Sequence, residues 1–174
     1  MPVPNLPLIE SADQLRTVVL AFVVRCGVAA LCGGLIGIER ERRGKPAGLR
    51  TNLLICVGAA MYMLVGLMLV HGTGETSADP SRIAAQVVTG IGFLGAGCII
   101  QQGMQVTGLT SAATIWVVAA IGIVAGAGFP ITALIATVMV VLTLAVLGSL
   151  ESRLHPAHSD DAVRTDRRRG GRDK

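Results

Sequence analysis

Of 174 residues, 52% are hydrophobic and only 15% are charged. That is too little polar surface for a soluble domain, in which about 25% of residues are charged. Aromatic residues at 3% exclude a base-stacking surface, and the formal net charge of +4 is carried by loops and a tail that flank apolar runs, so the chain is expected to meet a lipid bilayer and no nucleic acid.

In chain order, residues 1–16 contain Glu10 and Asp13 and no basic residue before Arg16. They lack the basic start of a secretion signal and read as an extracytoplasmic segment. Five apolar runs follow, at 17–38, 52–70, 83–100, 109–127 and 131–150. Each has about 18–22 residues, enough for a helix to cross a ~30 Å hydrocarbon core. The expected fold is therefore an all-α, polytopic transmembrane bundle of about five spans over residues 17–150, followed by a disordered Arg-rich cytoplasmic tail at 151–174. Arg40, Arg42, Arg43, Lys45 and Arg50 follow the first run, and Arg153, Arg164, Arg167, Arg168, Arg169, Arg172 and Lys174 follow the last. Only Arg16 and Arg82 fall on the opposite side. The positive-inside rule then puts the N-terminus outside and the C-terminus in the cytoplasm, which requires an odd number of spans.

The first run carries Ala30, Gly33, Gly34 and Gly37 on one stripe, with Cys26 extending it. Arg25 lies near its middle, where a charge needs a partner or water. Its expected neutral partners are Gln86, Thr89, Thr110, Ser111 and Thr114; the alternative is that Arg25 snorkels outward. The run ends in Glu39, Arg40, Glu41 and Arg42, and Gly44 and Pro46 read as its stop. Asp79-Pro80-Ser81-Arg82 reads as the start of the third helix, with Asp79 as cap and Pro80 in the first turn. Asp79 and Glu39 are weak candidates for a divalent cation, Asp79 together with Glu75.

Gly90, Gly92, Gly95 and Gly97 lie within eight residues of the third run, and Gly122 and Gly126 form GxxxG in the fourth. Small residues let helices pack closely in lipid, and could serve homo-oligomerisation. The sharper reading is a third span broken near its glycines and lining a cavity. Gly90–Gly95 also spells GxGxxG, but inside an apolar run it lacks the strand and solvated helix start of a dinucleotide site. The loop 101–108 is uncharged, and residues 126–130 favour a tight helical hairpin, with a re-entrant segment as the alternative. Cys26, Cys32, Cys56 and Cys98 make no CxxC, and His71, His155 and His158 no metal motif. Nothing calls for catalysis, and no cofactor is expected; magnesium is the one candidate ion.

The segments GGLIGIERERRGKPAGLRTNLLICVGAA (33–60), DPSRIAAQVVTGIGFLGAGCI (79–99) and GLTSAATIWVVAAIG (108–122) resemble, in order and spacing, the membrane domain of the MgtC/SapB family. The resemblance covers roughly residues 25–150. It implies a bacterial multi-pass inner-membrane protein linked to adaptation to low magnesium and, in some members, to virulence. It also implies regulation of other membrane proteins such as the F-type ATP synthase; a transporter or channel for magnesium or another ion is the alternative. Residues shared with the family pattern include Arg25, Gly37, Glu39, Arg40, Glu41, Gly48, Leu49, Arg50, Asp79, Pro80, Arg82, Gly90, Gly92, Phe93, Gly95, Gly97, Thr110 and Trp116. Gln86 joins them as a polar candidate. Longer members carry a soluble C-terminal domain resembling an ACT fold, where this chain has its Arg-rich tail.

Overall fold

The structure, a computed structural model, describes residues 12–73, 79–103 and 105–154. Of the expected extracytoplasmic segment 1–16, residues 1–11 lie outside them and 12–16 form the start of the first helix; Glu75 and the tail beyond 154 also lie outside. Five helices account for nearly all of the described chain: α1 (Ala12–Arg42), α2 (Leu49–Thr73), α3 (Ser81–Gly97), α4 (Leu109–Gly126) and α5 (Pro130–Leu154). The all-α membrane bundle expected from the apolar runs is the fold observed. Four of the helices, α1, α2, α4 and α5, are long and apolar enough to cross a membrane. The chain divides after Val141 into two units. All the packing below belongs to the first; residues 142–154 are the C-terminal continuation of α5.

Two expectations for the third run are corrected. It is not broken at its glycines: Gly90, Gly92 and Gly95 sit within a continuous helix. It also stops at Gly97, so that Ile100 is already in a strand. At 17 residues, α3 is about 26 Å long, just under the ~30 Å core. The uncharged loop that follows is a β-hairpin. Strands β1 (Ile100–Gln102) and β2 (Gln105–Thr107) pair antiparallel with Ile100 opposite Thr107. Its turn uses Gly103 at φ +60°, and Gly108, at φ +88°, leads into α4. A side chain at Gly108 would run into the carbonyl of Cys98 as well as adopt a strained backbone.

The glycines set the register of the bundle. A Cβ on Gly37 would lie 2.7 Å from Leu49 Cα, and one on Gly33 2.7 Å from Cys56 Cβ, so α2 descends against α1 in the opposite sense. Gly122 abuts Cys56 and Ala59 while Gly126 abuts Ala60, so α4 runs parallel to α2. Gly66 meets Ile83 and Gly95 faces Ala112, which makes α3 antiparallel to both. Gly128 packs under Arg25, and the Thr137 side chain lies beside Cys32, so the first part of α5 follows α1. Each helix therefore reverses the one before it.

The core lies where α1, α2 and α4 meet. Cys32, Ile36, Cys56, Ala60, Ile115, Val118 and Ala125 are fully or almost fully buried there. In lipid no hydrophobic gain drives helix on helix; close van der Waals contact does, and only glycine permits backbone-to-backbone approach at these distances. Gly33 and Gly37 on α1 and Gly122 and Gly126 on α4 pack against the chain's own helices. Gly90, Gly92 and Gly97 on α3 have open space where a side chain would go.

Candidate functional site

The elbow between α1 and α2 gathers most of the charged candidates. Gly44 at φ +62° closes α1: its N–H reaches Glu41 O at 3.0 Å, and Lys45 N reaches Arg40 O at 3.1 Å. This is the paired bond pattern of a glycine-terminated helix, as Gly44 and Pro46 foretold. Just inside that end, Glu39 is held between two guanidinium groups. Arg40 Nε donates to Glu39 Oε2 at 2.5 Å, and Arg43 Nε lies 2.5 Å from Glu39 Oε1. Arg40 is only 2% exposed, and its Nη1 is buried without a hydrogen-bond partner. Glu41 leaves this cluster and accepts the N–H of Leu49 through Oε2 at 2.9 Å. It caps α2 from the preceding helix, where a carboxylate is favoured by the helix dipole. Gly48 makes room for it, since a Cβ there would sit 3.1 Å from that same oxygen. Arg42, Lys45 and Arg50 are exposed.

Asn52 completes the elbow, and sequence reasoning missed it. Fully buried, it donates from Nδ2 to Ala47 O and Gly48 O at 2.8 Å each, while its Oδ1 has no partner. A polar residue in the first turn of an apolar run was the available signal.

Arg25 is anchored in a way the sequence did not suggest. Its Nη1 donates to the backbone carbonyl of Gly126 at 3.0 Å. None of the five expected polar partners takes that role; Thr89 and Thr114 bond their own helices, at Ala85 O and Thr110 O. The C-terminus of α4 explains the choice. Gly128 N reaches Ala125 O and Phe129 N reaches Val124 O, which leaves the carbonyl of Gly126 for a side chain. The negative end of the α4 dipole also favours a cation. Gly128, at φ +98°, lets the guanidinium lie against the turn: a Cβ there would come within 3.0 Å of Arg25 Nη2. Arg25 therefore neither snorkels nor sits unpaired. It ties α1 to the α4–α5 hairpin.

The third group lies on α3. Asp79 accepts the Ser81 N–H through Oδ1 at 2.8 Å and the Ser81 hydroxyl through Oδ2 at 2.6 Å. The helix begins at Ser81 with Pro80 at the cap position, one residue later than the sequence indicated, so Asp79 closes the turn that leads into α3 and is not its cap residue. The Ser81 hydroxyl, then the Ser81 N–H, hold the Asp79 carboxyl below its ordinary value, with a smaller contribution from Arg82. Arg82 is exposed one turn before Gln86, and Gln86 lines a groove between α2 and α3. Thr110 is exposed in the first turn of α4.

The candidate residues thus occupy three separate places. Gly37, Glu39, Arg40, Glu41 and Arg50 belong to the elbow, Arg25 to the α4–α5 turn, and Asp79, Arg82 and Gln86 to the start of α3. Neither carboxylate proposed for a metal suits magnesium. Both Glu39 oxygens face arginine, and both Asp79 oxygens are engaged by Ser81. Mg²⁺ needs carboxylate oxygens free of competing cations in near-octahedral geometry. Among the described residues, no group of three or more His, Cys, Asp or Glu is close enough to hold a metal.

Comparison with known proteins places this architecture. The chain is 48% identical over 136 residues to the "Putative magnesium transporter YhiD" of Escherichia coli K12, covering 76% of this chain and 63% of that protein. It is 47% identical over 132 residues to Protein MgtC of Brucella abortus, covering 75% and 53%. To Protein MgtC of Salmonella typhimurium it is 43% identical over 141 residues, covering 80% and 58%. It thus spans little more than half the length of these relatives. No solved structure matches it significantly. The model of the MgtC family matches residues 26–153, which takes in the elbow, the α4–α5 turn and the α3 start, and the chain belongs to the MgtC family.

Proposed function

We propose that this protein is a non-catalytic component of the bacterial inner membrane that supports adaptation to low magnesium by lateral contact with other membrane proteins. The F-type ATP synthase is the partner to which the family resemblance leads, and virulence is a context in which such a role would matter. The N-terminus lies outside and the C-terminus in the cytoplasm; the alternating helix directions and the basic elbow between α1 and α2 support that orientation.

The observation that supports a regulator most directly is where the polar groups go. Glu41 and Arg25 tie one helix to another, and Glu39, Arg40 and Asn52 are engaged within the α1 end and the elbow, so these polar groups are occupied by the chain itself. The α1–α2–α4 core between them is largely apolar at backbone-contact distances, with the buried hydroxyls of Ser111 and Thr114 on α4, the latter donating to Thr110 O. Such a core offers a permeating ion no chain of oxygens to replace its water. The outward faces carry the large apolar surfaces, Phe93 at 80% exposure and Ile131 at 73% among them.

A second reading, a magnesium transporter, is favoured by the name of the Escherichia coli relative. Flux in proteoliposomes separates the two. We expect no magnesium uptake above that of protein-free vesicles, and co-purification with ATP synthase accompanied by lowered ATP synthesis. Uptake that is abolished by Glu39→Gln or Asp79→Asn in folded protein would replace the regulator with the transporter.

A further inference from the structure

The groove between α2 and α3 has a shape and a charge pattern that match one molecule of the surrounding solvent. It encloses about 680 Å³. Its walls are residues 54–65 of α2 and 83–94 of α3, Gln86 being the most polar side chain among them. Each wall advances eleven residues, about 16 Å, which is half of a ~30 Å hydrocarbon core and so the depth of one leaflet. Helix α3 meets α2 at Gly66 and Ile83 and faces α4 at Gly95 and Ala112. Between these contacts Gly58 and Gly90 face each other's helices with nothing within 4 Å of where a Cβ would be.

Polarity changes along the groove in one direction. Arg82 stands at the α3 start, exposed and in no salt bridge among the described residues. Gln86 follows one turn below, and Tyr62 faces the same space from α2. Val65 and Ile83 flank the Arg82 end, and beyond Gln86 and Tyr62 the lining is apolar throughout, Val87 to Leu94 on α3 against Leu54 to Ala59 on α2. A cation, then an amide, then about two turns of pure hydrocarbon surface is the sequence of chemistry met along a phospholipid from phosphate through ester to acyl chain.

We propose that this groove binds one phospholipid of the leaflet at the α3 start. Its phosphate sits at Arg82, its ester region at Gln86, and one acyl chain lies between Gly58 and Gly90. Charge complementarity at Arg82 makes anionic headgroups preferred. An interfacial Arg contributes about fivefold in partition toward anionic lipid. The bound chain replaces the side-chain contacts that the two glycines omit, so it acts as packing material between α2 and α3.

The test uses the full chain, purified in mild detergent and titrated with phosphatidylglycerol or phosphatidylcholine under native mass spectrometry. In parallel, a Tyr62→Trp, Trp116→Phe variant is placed in bilayers containing brominated phospholipid. We expect one retained phosphatidylglycerol and quenching of the groove tryptophan at lower brominated-lipid fraction than that of Trp116 in the wild type. Gly58→Leu with Gly90→Leu fills the groove at two positions with open space, and should remove the retained lipid without changing helicity or melting. Arg82→Gln should keep binding but reduce the phosphatidylglycerol preference about fivefold. The proposal is overturned if the filled variant retains lipid as the wild type does, or if the two tryptophans quench alike. A wild-type dimer that the double leucine variant dissociates would equally overturn it, by assigning the groove to a second copy of the chain.

Discussion

Gly122→Ala is the sharpest test of how the bundle is held. A Cβ at Gly122 would fall inside the contact distance of the Cys56 carbonyl oxygen and 2.9 Å from Ala59 Cβ, where 3.4–4 Å is ordinary contact. The obstacle is the backbone of α2, which cannot rotate away as a side chain would. Helices α2 and α4 must therefore separate by about 1 Å, and every contact along that seam weakens with the separation. Overpacking of this kind costs about 1–3 kcal/mol, and alanine returns about 1 kcal/mol of helix propensity over glycine, so the net loss reaches about 2 kcal/mol where the backbone cannot give. Gly126→Ala meets Ala60 O at 2.5 Å and Ala60 Cα at 2.8 Å and should cost a similar amount. The double variant should lose less than the sum, because helices already parted by one methyl accommodate the second. Gly90→Ala, with open space around it, keeps only the propensity gain and should be neutral or slightly stabilising. Unfolding in mixed micelles of rising SDS fraction, followed by the fluorescence of Trp116, gives all four values. If Gly122→Ala unfolds with the wild type, or if Gly90→Ala is the more damaging change, close backbone contact is not what joins α2 to α4.

Three further outcomes follow from the charged groups. Glu39→Gln leaves the buried Arg40 without its counter-charge and should destabilise by about 3–5 kcal/mol, whereas the paired change Glu39→Gln with Arg40→Met removes both charges and should recover part of that loss in the same SDS titration. Arg25→Met removes the hydrogen bond to Gly126 O, worth about 1.5–3 kcal/mol when the donor is charged and toward the lower end because Arg25 is only partly buried; a cysteine crosslink rate between α1 and the α4–α5 turn should fall with it. The Asp79 carboxyl has a lowered folded value, so its contribution is complete above the unfolded value of about 3.9 and is lost as pH falls through the lower folded one. Hydrogen exchange at the Ser81 amide should therefore speed up in acid below about pH 4, and Asp79→Asn should flatten that dependence.

The helices were legible where the sequence supplies both a run and its punctuation. Gly44 with Pro46 marked the end of α1, Asp79 with Pro80 the start of α3, and Gly128 with Pro130 the turn into α5, because each residue type answers a backbone requirement that is local. Hydropathy also located the spans, although α1 begins at Ala12 rather than near residue 17 and α3 ends at Gly97. It misjudged α3 because Cys98, Ile99 and Ile100 are as apolar in a strand as in a helix. The partner of Arg25 was illegible for a different reason: it is a backbone carbonyl, and every residue has one. Nor could spacing alone distinguish Gly33, Gly37, Gly122 and Gly126, which contact backbone, from Gly90 and Gly92, which contact nothing. That difference is set by which helix lies opposite. Membership in the MgtC family was legible from three long segments, and the matched range 26–153 agrees.

The anchoring of Arg25 bears on the membrane as well as on the protein. Arg25 lies fifteen residues before Arg40 in α1, about 22 Å along the axis, while the hydrocarbon slab is about 30 Å thick. With Arg40 taken at one interface, the turn that Arg25 grips, with Phe129 exposed on it, stands about 8 Å inside a slab of that thickness. Helices α1 and α2 continue past that depth and α4 does not. Lipid beside the turn must either thin to meet the guanidinium and the last carbonyls of α4 or leave room for water to reach them. On either course we expect a Phe129→Cys label to react with water-soluble reagents more readily than its depth in an undeformed bilayer allows.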